Sequence, residues 1–432
     1  MSPYMIGLIG IVVLMVLIFL RMPIGLAMAL VGFGGFAVIS GIEGAMSNLS
    51  SIPYRFVADF NFVVIPLFLL MGAIAANTGI SHDLFVSAHK WVGHLRGGLA
   101  MATVMATAGF AAMSGSSTAT AVAMSKVAFP EMKKFNYDEK MAAGTLAAGG
   151  TLGILIPPSM GFIMYAILTE QSIGALFMAG ILPGLTEVLF YIVTIYILCR
   201  IDPSRGPAGP RTSLKSRLVS LKGIWAMLAV FGLVMGGIYT GLFTPSEAAA
   251  IGACGAIVIS LSMGRLKPRI FGDSLVETGR TAAMIFILII GAMIFMRFLA
   301  VTKLPFVMAD VVSGLDVNPY VLLIGILVFY IIIGCFLEIF SSLVLTIPII
   351  FPTLMALGFD PIWFGVLTVR IAEIGLITPP VGLNCFVIAA ATGLPTGKVF
   401  RGVIPFIIAD FFHVALLVAF PGISLFLVRM MN

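Results

Sequence analysis

Residues Gly149 to Phe162 read GGTLGILIPPSMGF, and Glu373 to Phe386 read EIGLITPPVGLNCF. Each sets two successive prolines in the middle of a long apolar segment. Proline lacks a backbone donor and clashes with the preceding turn, so a helix entering either pair should break there. The chain around them is a membrane chain: 60% of its 432 residues are hydrophobic and 10% are charged, and mean hydropathy is +1.16. That composition excludes a soluble domain. Spans need about 20 mostly apolar residues, and such stretches recur from Met5 to Leu20 onward; the first reads as a membrane helix rather than a cleavable leader, since no basic segment precedes it. In hydrocarbon, backbone groups released at a break need partners, which only protein or a polar cavity provides.

A shift of 222 residues superimposes the two halves, pairing Pro23 with Pro245, Phe129-Pro130 with Phe351-Pro352, Asp138 with Asp360, Gly153 with Gly375, Pro157-Pro158 with Pro379-Pro380, and Pro183 with Pro405. The expected organisation is a first repeat over 1–202, a basic linker over 203–222 and a second repeat over 223–432. Within them, hairpins are expected at about 97–130 and 320–352, and broken helices at about 138–170 and 362–393. Arg205, Arg211, Lys215, Arg217 and Lys222 crowd the linker, which the positive-inside rule places in the cytoplasm. Five crossings on each side of it put both termini outside, with the loops near Glu43, Glu170, Asp316 and Asp360; Arg55, Lys303 and Arg429 are the exceptions. An odd number of crossings inverts the second repeat, a plan typical of secondary transporters.

Each break follows a hairpin. Ser114-Gly115-Ser116-Ser117-Thr118-Ala119-Thr120 forms a hydroxyl-rich tip between two alanine-rich arms, and the shift puts Glu338, Ser341 and Ser342 at the second tip. Matched breaks beside matched polar tips mark a binding site. Among intramembrane charges, Arg297 either snorkels to the outer surface or serves a functional site. Arg370 and Glu373, three apart on one helix, are expected to pair with each other. His82, His89, His94 and His413 build no relay by spacing. The four cysteines, in apolar segments at unrelated intervals, fit buried thiols rather than disulfides or a zinc site.

The motifs MSGSSTATA at Met113 to Ala121, GILIPPS at Gly153 to Ser159 and GLITPPVGLN at Gly375 to Asn384, in that order, resemble the large membrane (M) subunit of the tripartite ATP-independent periplasmic (TRAP) transporters over essentially the whole chain. The resemblance implies an all-α polytopic elevator-type carrier of the bacterial inner membrane, with two inverted repeats. It would be a Na+-coupled importer of organic anions such as C4-dicarboxylates or sialic acid. It also implies two partners, a periplasmic substrate-binding protein and a small four-helix membrane subunit. Neither is expected to be fused here, as the chain opens on the first repeat.

By that resemblance, one sodium site joins Ser114, Ser116 and Thr118 to Gly150, Thr151 and Gly153. A second joins Glu338, Ser341 and Ser342 to Gly375, Ile377 and Thr378. Sodium is the only metal implied, and a hard cation suits hydroxyl, carboxylate and carbonyl oxygens. Ser117, Ser159 and Arg297 are the candidate substrate contacts, helped by helix amide ends. No organic cofactor is implied, and no enzymatic activity: a serine hydrolase at the first tip lacks a Gly-x-Ser-x-Gly elbow and a placed histidine. The competing readings are a self-sufficient sodium:dicarboxylate or citrate symporter of the same superfamily, and a channel.

Topology is testable directly. A cysteine introduced near Arg211 should react only with membrane-permeant reagents, and one appended after Asn432 should react from the periplasm. Labelling of both from one side would contradict the inversion.

Overall fold

The computed structural model of the chain describes residues 2–314 and 317–431; Asp316 and the C-terminal Asn432, used in the topology above, lie outside them. The described residues are helical, with no strand. The first half contains α1 (Pro3–Phe19), α2 (Ile24–Ser40), α3 (Ile42–Ala58), α4 (Val64–Asn77), α5 (Ile80–Val92), α6 (Gly98–Ser114), α7 (Ser117–Lys134), α8 (Glu139–Leu155), α9 (Met160–Thr169) and α10 (Ile173–Ile201). A short α11 (Leu214–Ser220) lies in the basic linker. The second half contains α12 (Trp225–Tyr239), α13 (Pro245–Ser262), α14 (Pro268–Thr302), α15 (Leu304–Ser313), α16 (Pro319–Gly334), α17 (Ile339–Ala356), α18 (Pro361–Gly375), α19 (Leu383–Thr392), α20 (Thr396–Ala419) and α21 (Gly422–Met431).

Element boundaries recur at the 222-residue shift: Ser117–Lys134 maps onto Ile339–Ala356, and Glu139 onto Pro361. The halves differ where local chemistry differs. Asp59 accepts from the Asn61 amide at 2.9 Å, capping a new turn that ends α3, whereas the equivalent stretch of the second half runs unbroken through the 35-residue α14. Six described helices are long and apolar enough to cross a membrane, and up to eight if bent pairs count as one span. The pair α8 and α9, bent by 42°, is one of these.

The helices pack as two groups. α1, α2, α3 and α4 pack on α14, with α13 against α4 and α12 against α13, while α8, α18 and α20 form the centre of the other group with α6, α7, α10, α16 and α19. Close crossings depend on glycine. A Cβ on Gly144 would lie 2.1 Å from the Gly402 carbonyl oxygen, locking α8 onto α20. One on Gly291 would lie 1.9 Å from the Gly25 carbonyl oxygen, where α14 crosses α2. The linker is held by backbone bonds, with Gly97 N–H donating to Gly206 O at 2.8 Å and Gly209 N–H to Gly93 O at 2.9 Å. All four cysteines are free. Cys199, Cys335 and Cys385 are buried as expected, but Cys254 is exposed on α13, because its position falls on the outer stripe of that helix.

Two substitutions on α14 separate packing from propensity. Gly291→Ala should lower thermal stability by about 1–3 kcal/mol through overpacking. Gly279→Ala, with nothing within 4 Å of the added Cβ, should be neutral or stabilising by up to about 1 kcal/mol. Melting of the purified protein in detergent checks both.

Candidate functional site

The first hairpin turns on Gly115, whose φ of +61° is the left-handed conformation glycine adopts at no cost. Ser116 then caps α7, accepting from the Ala119 N–H at 3.4 Å. Ser114 Oγ and Thr120 Oγ1 share a 2.5 Å hydrogen bond, and Ser116 Oγ lies 3.4 Å from Thr118 Oγ1. The broken helix is pressed against this tip. A Cβ on Gly153 would sit 2.5 Å from the Ser116 carbonyl oxygen and 2.8 Å from Thr120 Oγ1, and one on Gly150 would sit 2.9 Å from Ala121 Cβ. Pro157 and Pro158 cannot donate to the carbonyls four residues earlier, so Gly153 and Ile154 keep carbonyl oxygens free of helical donors at that end. Gly115 O in turn accepts from Met160 N–H at 3.3 Å, stitching the tip to the start of α9. Ser114, Ser116, Thr118, Gly150 and Gly153 are thus brought together. Thr151 points elsewhere: its hydroxyl lies 3.0 Å from Tyr191 Oη and 3.4 Å from Glu187 Oε1 on α10.

The second tip repeats the plan with different chemistry. Gly375 lies against Gly334, where an added Cβ would come within 2.6 Å of Gly334 Cα. Cys335 Sγ donates to Pro379 O at 3.4 Å, and the Gly382 N–H to Cys335 O at 3.4 Å. Glu338 takes the N-cap place on α17 that Ser116 holds on α7, beside the Phe340 amide. Ser341 is half-buried, and buried Ser342 has a hydroxyl with no partner among the described residues. Thr378 Oγ1 donates to Ile374 O at 2.6 Å. The Thr378 N–H bonds to Gly375 O at 3.1 Å, and Leu376 O accepts from the Asn384 N–H at 3.0 Å. The Ile377 carbonyl is approached by Cys385 Sγ at 3.5 Å. The second break is therefore closed more tightly by its own backbone than the first.

A bond across the halves ties the two sites. Asn384 Nδ2 donates to Ser117 Oγ at 2.7 Å, joining the second break to the first tip. Ser159, fully buried, caps α9 by accepting from the Phe162 N–H at 3.3 Å. Arg297 is not brought to these tips. It is exposed on α14, with no ion-pair partner among the described residues. A narrow cleft lined by Ser114, Ser116, Glu277, Thr278 and Thr281 separates the first tip from α14. Along that helix Arg297 lies about 24 Å beyond Thr281 at 1.5 Å per residue.

The expected pairing of Arg370 with Glu373 is wrong. Arg370 Nη2 instead meets Glu187 Oε1 at 2.9 Å and Asp410 Oδ1 at 2.6 Å, and its Nε donates to His413 Nδ1 at 3.2 Å. Facing partners on α10 and α20 win because they neutralise the buried guanidinium at hydrogen-bonding distance, which an (i, i+3) neighbour on the same helix does not. Neither Glu373 oxygen has a partner among the described residues by geometry, although Ser117 and Arg370 are its neighbours. His413 therefore belongs to a charge cluster, and its Nε2 lies 2.9 Å from Thr186 Oγ1. His94 meets Arg217 at 3.3 Å, and no metal-binding group of His, Cys, Asp and Glu occurs among the described residues. Sequence reasoning passed over Glu187 and Asp410. The signal was present, since each is a lone carboxylate inside an apolar helix and so requires an internal cation.

The profile of the family described as "Tripartite ATP-independent periplasmic transporter, DctM component" matches residues 11–423. The C4-dicarboxylate TRAP transporter large permease protein DctM of Pseudomonas aeruginosa is 38% identical over 397 residues, covering 89% of this chain and 92% of that protein. The sialic acid TRAP transporter large permease protein SiaM of Vibrio cholerae is 32% identical over 417 residues, covering 95% and 96%. The isethionate TRAP transporter permease protein DctMQ of Oleidesulfovibrio alaskensis is 33% identical over 399 residues, covering 91% of this chain but 62% of that longer protein. Among solved structures, the YdaH transporter of Alcanivorax borkumensis superimposes with a TM-score of 0.62 at 15% identity, over 88% of this chain and 89% of its own, which shows a shared fold. With the family profile spanning nearly every residue and large permeases aligned end to end, this multi-span helical membrane protein belongs to the DctM component family of the tripartite ATP-independent periplasmic transporters.

Proposed function

We propose that the chain is the permease of a sodium-coupled, binding-protein-dependent secondary transporter that imports organic anions across the bacterial inner membrane by an elevator movement. One observation carries the sodium reading: in each half a polar hairpin tip is pressed, through glycines, onto the end of a helix broken by Pro-Pro. The groups gathered there are hydroxyls, carbonyls and the Glu338 carboxylate, the ligand set of a hard monovalent cation. Ser114, Ser116, Thr118, Gly150 and Gly153 form the first site, with Thr151 contributing at most its main chain because its hydroxyl faces α10. Glu338, Ser341, Ser342, Gly375, Ile377 and Thr378 form the second. The anion lies between the tips near Ser117 and Ser159, where the N-termini of α7 and α9 favour a carboxylate. Arg297, remote from the tips here, meets the anion only if the helix group bearing the tips slides along α14. The elevator proposal supplies that slide.

Relatives named for C4-dicarboxylate, sialic acid and isethionate transport share organic anions as a class and support that substrate class here. The DctMQ relative, longer than this chain, supports a second membrane component as partner, and the family description a periplasmic one. The linker is cytoplasmic and both termini periplasmic in this reading.

Reconstituted alone in liposomes, the chain should show little sodium-driven uptake of succinate or N-acetylneuraminate until a small subunit and a loaded binding protein are added. Robust uptake by the isolated chain would establish the one-component symporter instead.

In the assembled transporter, Glu338→Gln should raise the half-saturating sodium concentration about tenfold, equivalent to about 1.4 kcal/mol, because a hard cation is held chiefly by charge. Ser116→Ala should raise it less, roughly two- to threefold, through loss of one oxygen ligand. Unchanged sodium dependence in both, with normal membrane insertion, would make the tips packing elements.

A further inference from the structure

The buried charge cluster has no part in the two ion sites, yet it touches both broken helices. We propose that Arg370 is a positioning residue that couples the two ion sites, so that sodium binds to them cooperatively; the inference rests on the sodium reading above.

Arg370 lies on α18 five residues before Gly375, about 7.5 Å along one rigid helix. Its orientation therefore moves with the second break. From the other side of the guanidinium the path runs to the first break. Glu187 Oε1, 2.9 Å from Arg370 Nη2, stands 3.4 Å from Thr151 Oγ1, and Tyr191 Oη stands 3.0 Å from the same hydroxyl. Thr151 sits between Gly150 and Gly153, the residues pressed against the first tip. Thr151, Glu187, Tyr191, Arg370, Asp410 and His413 are all 0% exposed, so water cannot replace a lost partner.

The cluster also has a fixed donor order. Arg370 Nε–H donates to His413 Nδ1, which makes Nδ1 the acceptor of a neutral ring and leaves the proton on Nε2. That proton points at Thr186 Oγ1, whose own hydrogen is directed to the Pro183 carbonyl at 2.9 Å. The Nε and Nη2 edge of the guanidinium, held by two carboxylates and an imidazole while Nη1 has no partner among the described residues, has few alternative arrangements in a low-dielectric interior. Displacing it would leave carboxylates unpaired, so the cluster passes between discrete states rather than deforming smoothly. An ion that draws Gly153 toward the first tip moves Thr151, and the shift reaches α18 through Glu187 and Arg370.

A staple that only held α10, α18 and α20 together would affect stability but not the shape of sodium binding. The purified full chain in lipid nanodiscs is titrated with sodium at constant ionic strength in potassium, following melting temperature. The wild type should show a Hill coefficient approaching two. Tyr191→Phe removes a phenol that bonds Thr151 Oγ1 and neighbours the Glu187 and Asp410 carboxylates, weakening the Thr151 end of the path while leaving the cluster's charges in place. Arg370→Lys keeps the charge, but its single nitrogen cannot stand at both the Nε position facing His413 and the Nη2 position facing the carboxylates. Both should bring the Hill coefficient toward one and raise half-saturation severalfold. Tyr191→Phe carries the test if Arg370→Lys does not fold. A folded variant that keeps the wild-type coefficient overturns the coupling and leaves the sodium sites standing, as does a wild-type coefficient of one. No sodium-specific stabilisation of the wild type overturns the sodium reading, and the coupling with it.

Discussion

The hydrocarbon core offers no water to a broken helix, so every carbonyl or amide released at a Pro-Pro pair has to be met from within the protein. The rest of the architecture follows from that constraint. A hairpin tip must reach the break, its backbone must approach within contact of the broken helix, and the residues at the crossing must be glycine. Gly150, Gly153 and Gly375 are where a side chain would collide with tip backbone or side chains. At the first break this leaves the Gly153 and Ile154 carbonyl oxygens without helical donors beside the tip hydroxyls, whereas at the second the Gly375, Leu376 and Ile377 carbonyls already accept from neighbouring groups.

The two halves meet this constraint unequally. At the first break the tip is made of hydroxyls and a glycine turn, and Ser159 restarts the helix as an N-cap. At the second, Gly382 at a φ of +57° restarts it, and a carboxylate takes the capping place that a serine holds in the first half. Charge is therefore concentrated at one tip, while the Asn384 to Ser117 bond ties the second break to the first tip. The buried cluster is equally one-sided. The 222-residue shift carries Tyr191 onto His413, but Arg370 onto Ala148. A single guanidinium thus serves carboxylates donated by both halves.

Much of this was legible in the sequence because the decisive signals are local or repeated. Pro-Pro in an apolar segment, a hydroxyl-rich stretch with a glycine, and a fixed shift between halves each have a direct backbone meaning: α8 ends at Leu155 just before Pro157, and α6 ends at Ser114 before the Gly115 turn. Side-chain direction was not legible in the same way. Spacing of three residues allowed Arg370 and Glu373 to meet, but it carries no information about Glu187 and Asp410 on other helices. Thr151 sits in the right segment with its hydroxyl on the opposite side of the helix from Gly150 and Gly153, a consequence of rotation that only a packed neighbour fixes. Arg297 could be placed in a helix but not relative to a tip that belongs to a different group of helices.

The ion assignment underlies the proposed transport mechanism, and the most direct measurement is a high-resolution cryo-EM map of the protein in sodium compared with one in choline. Density for a bound ion should appear in sodium alone, between Ser116 and Gly153 at the first break and beside Glu338 at the second. Identical maps at both breaks, or an ion only elsewhere in the chain, would contradict the assignment.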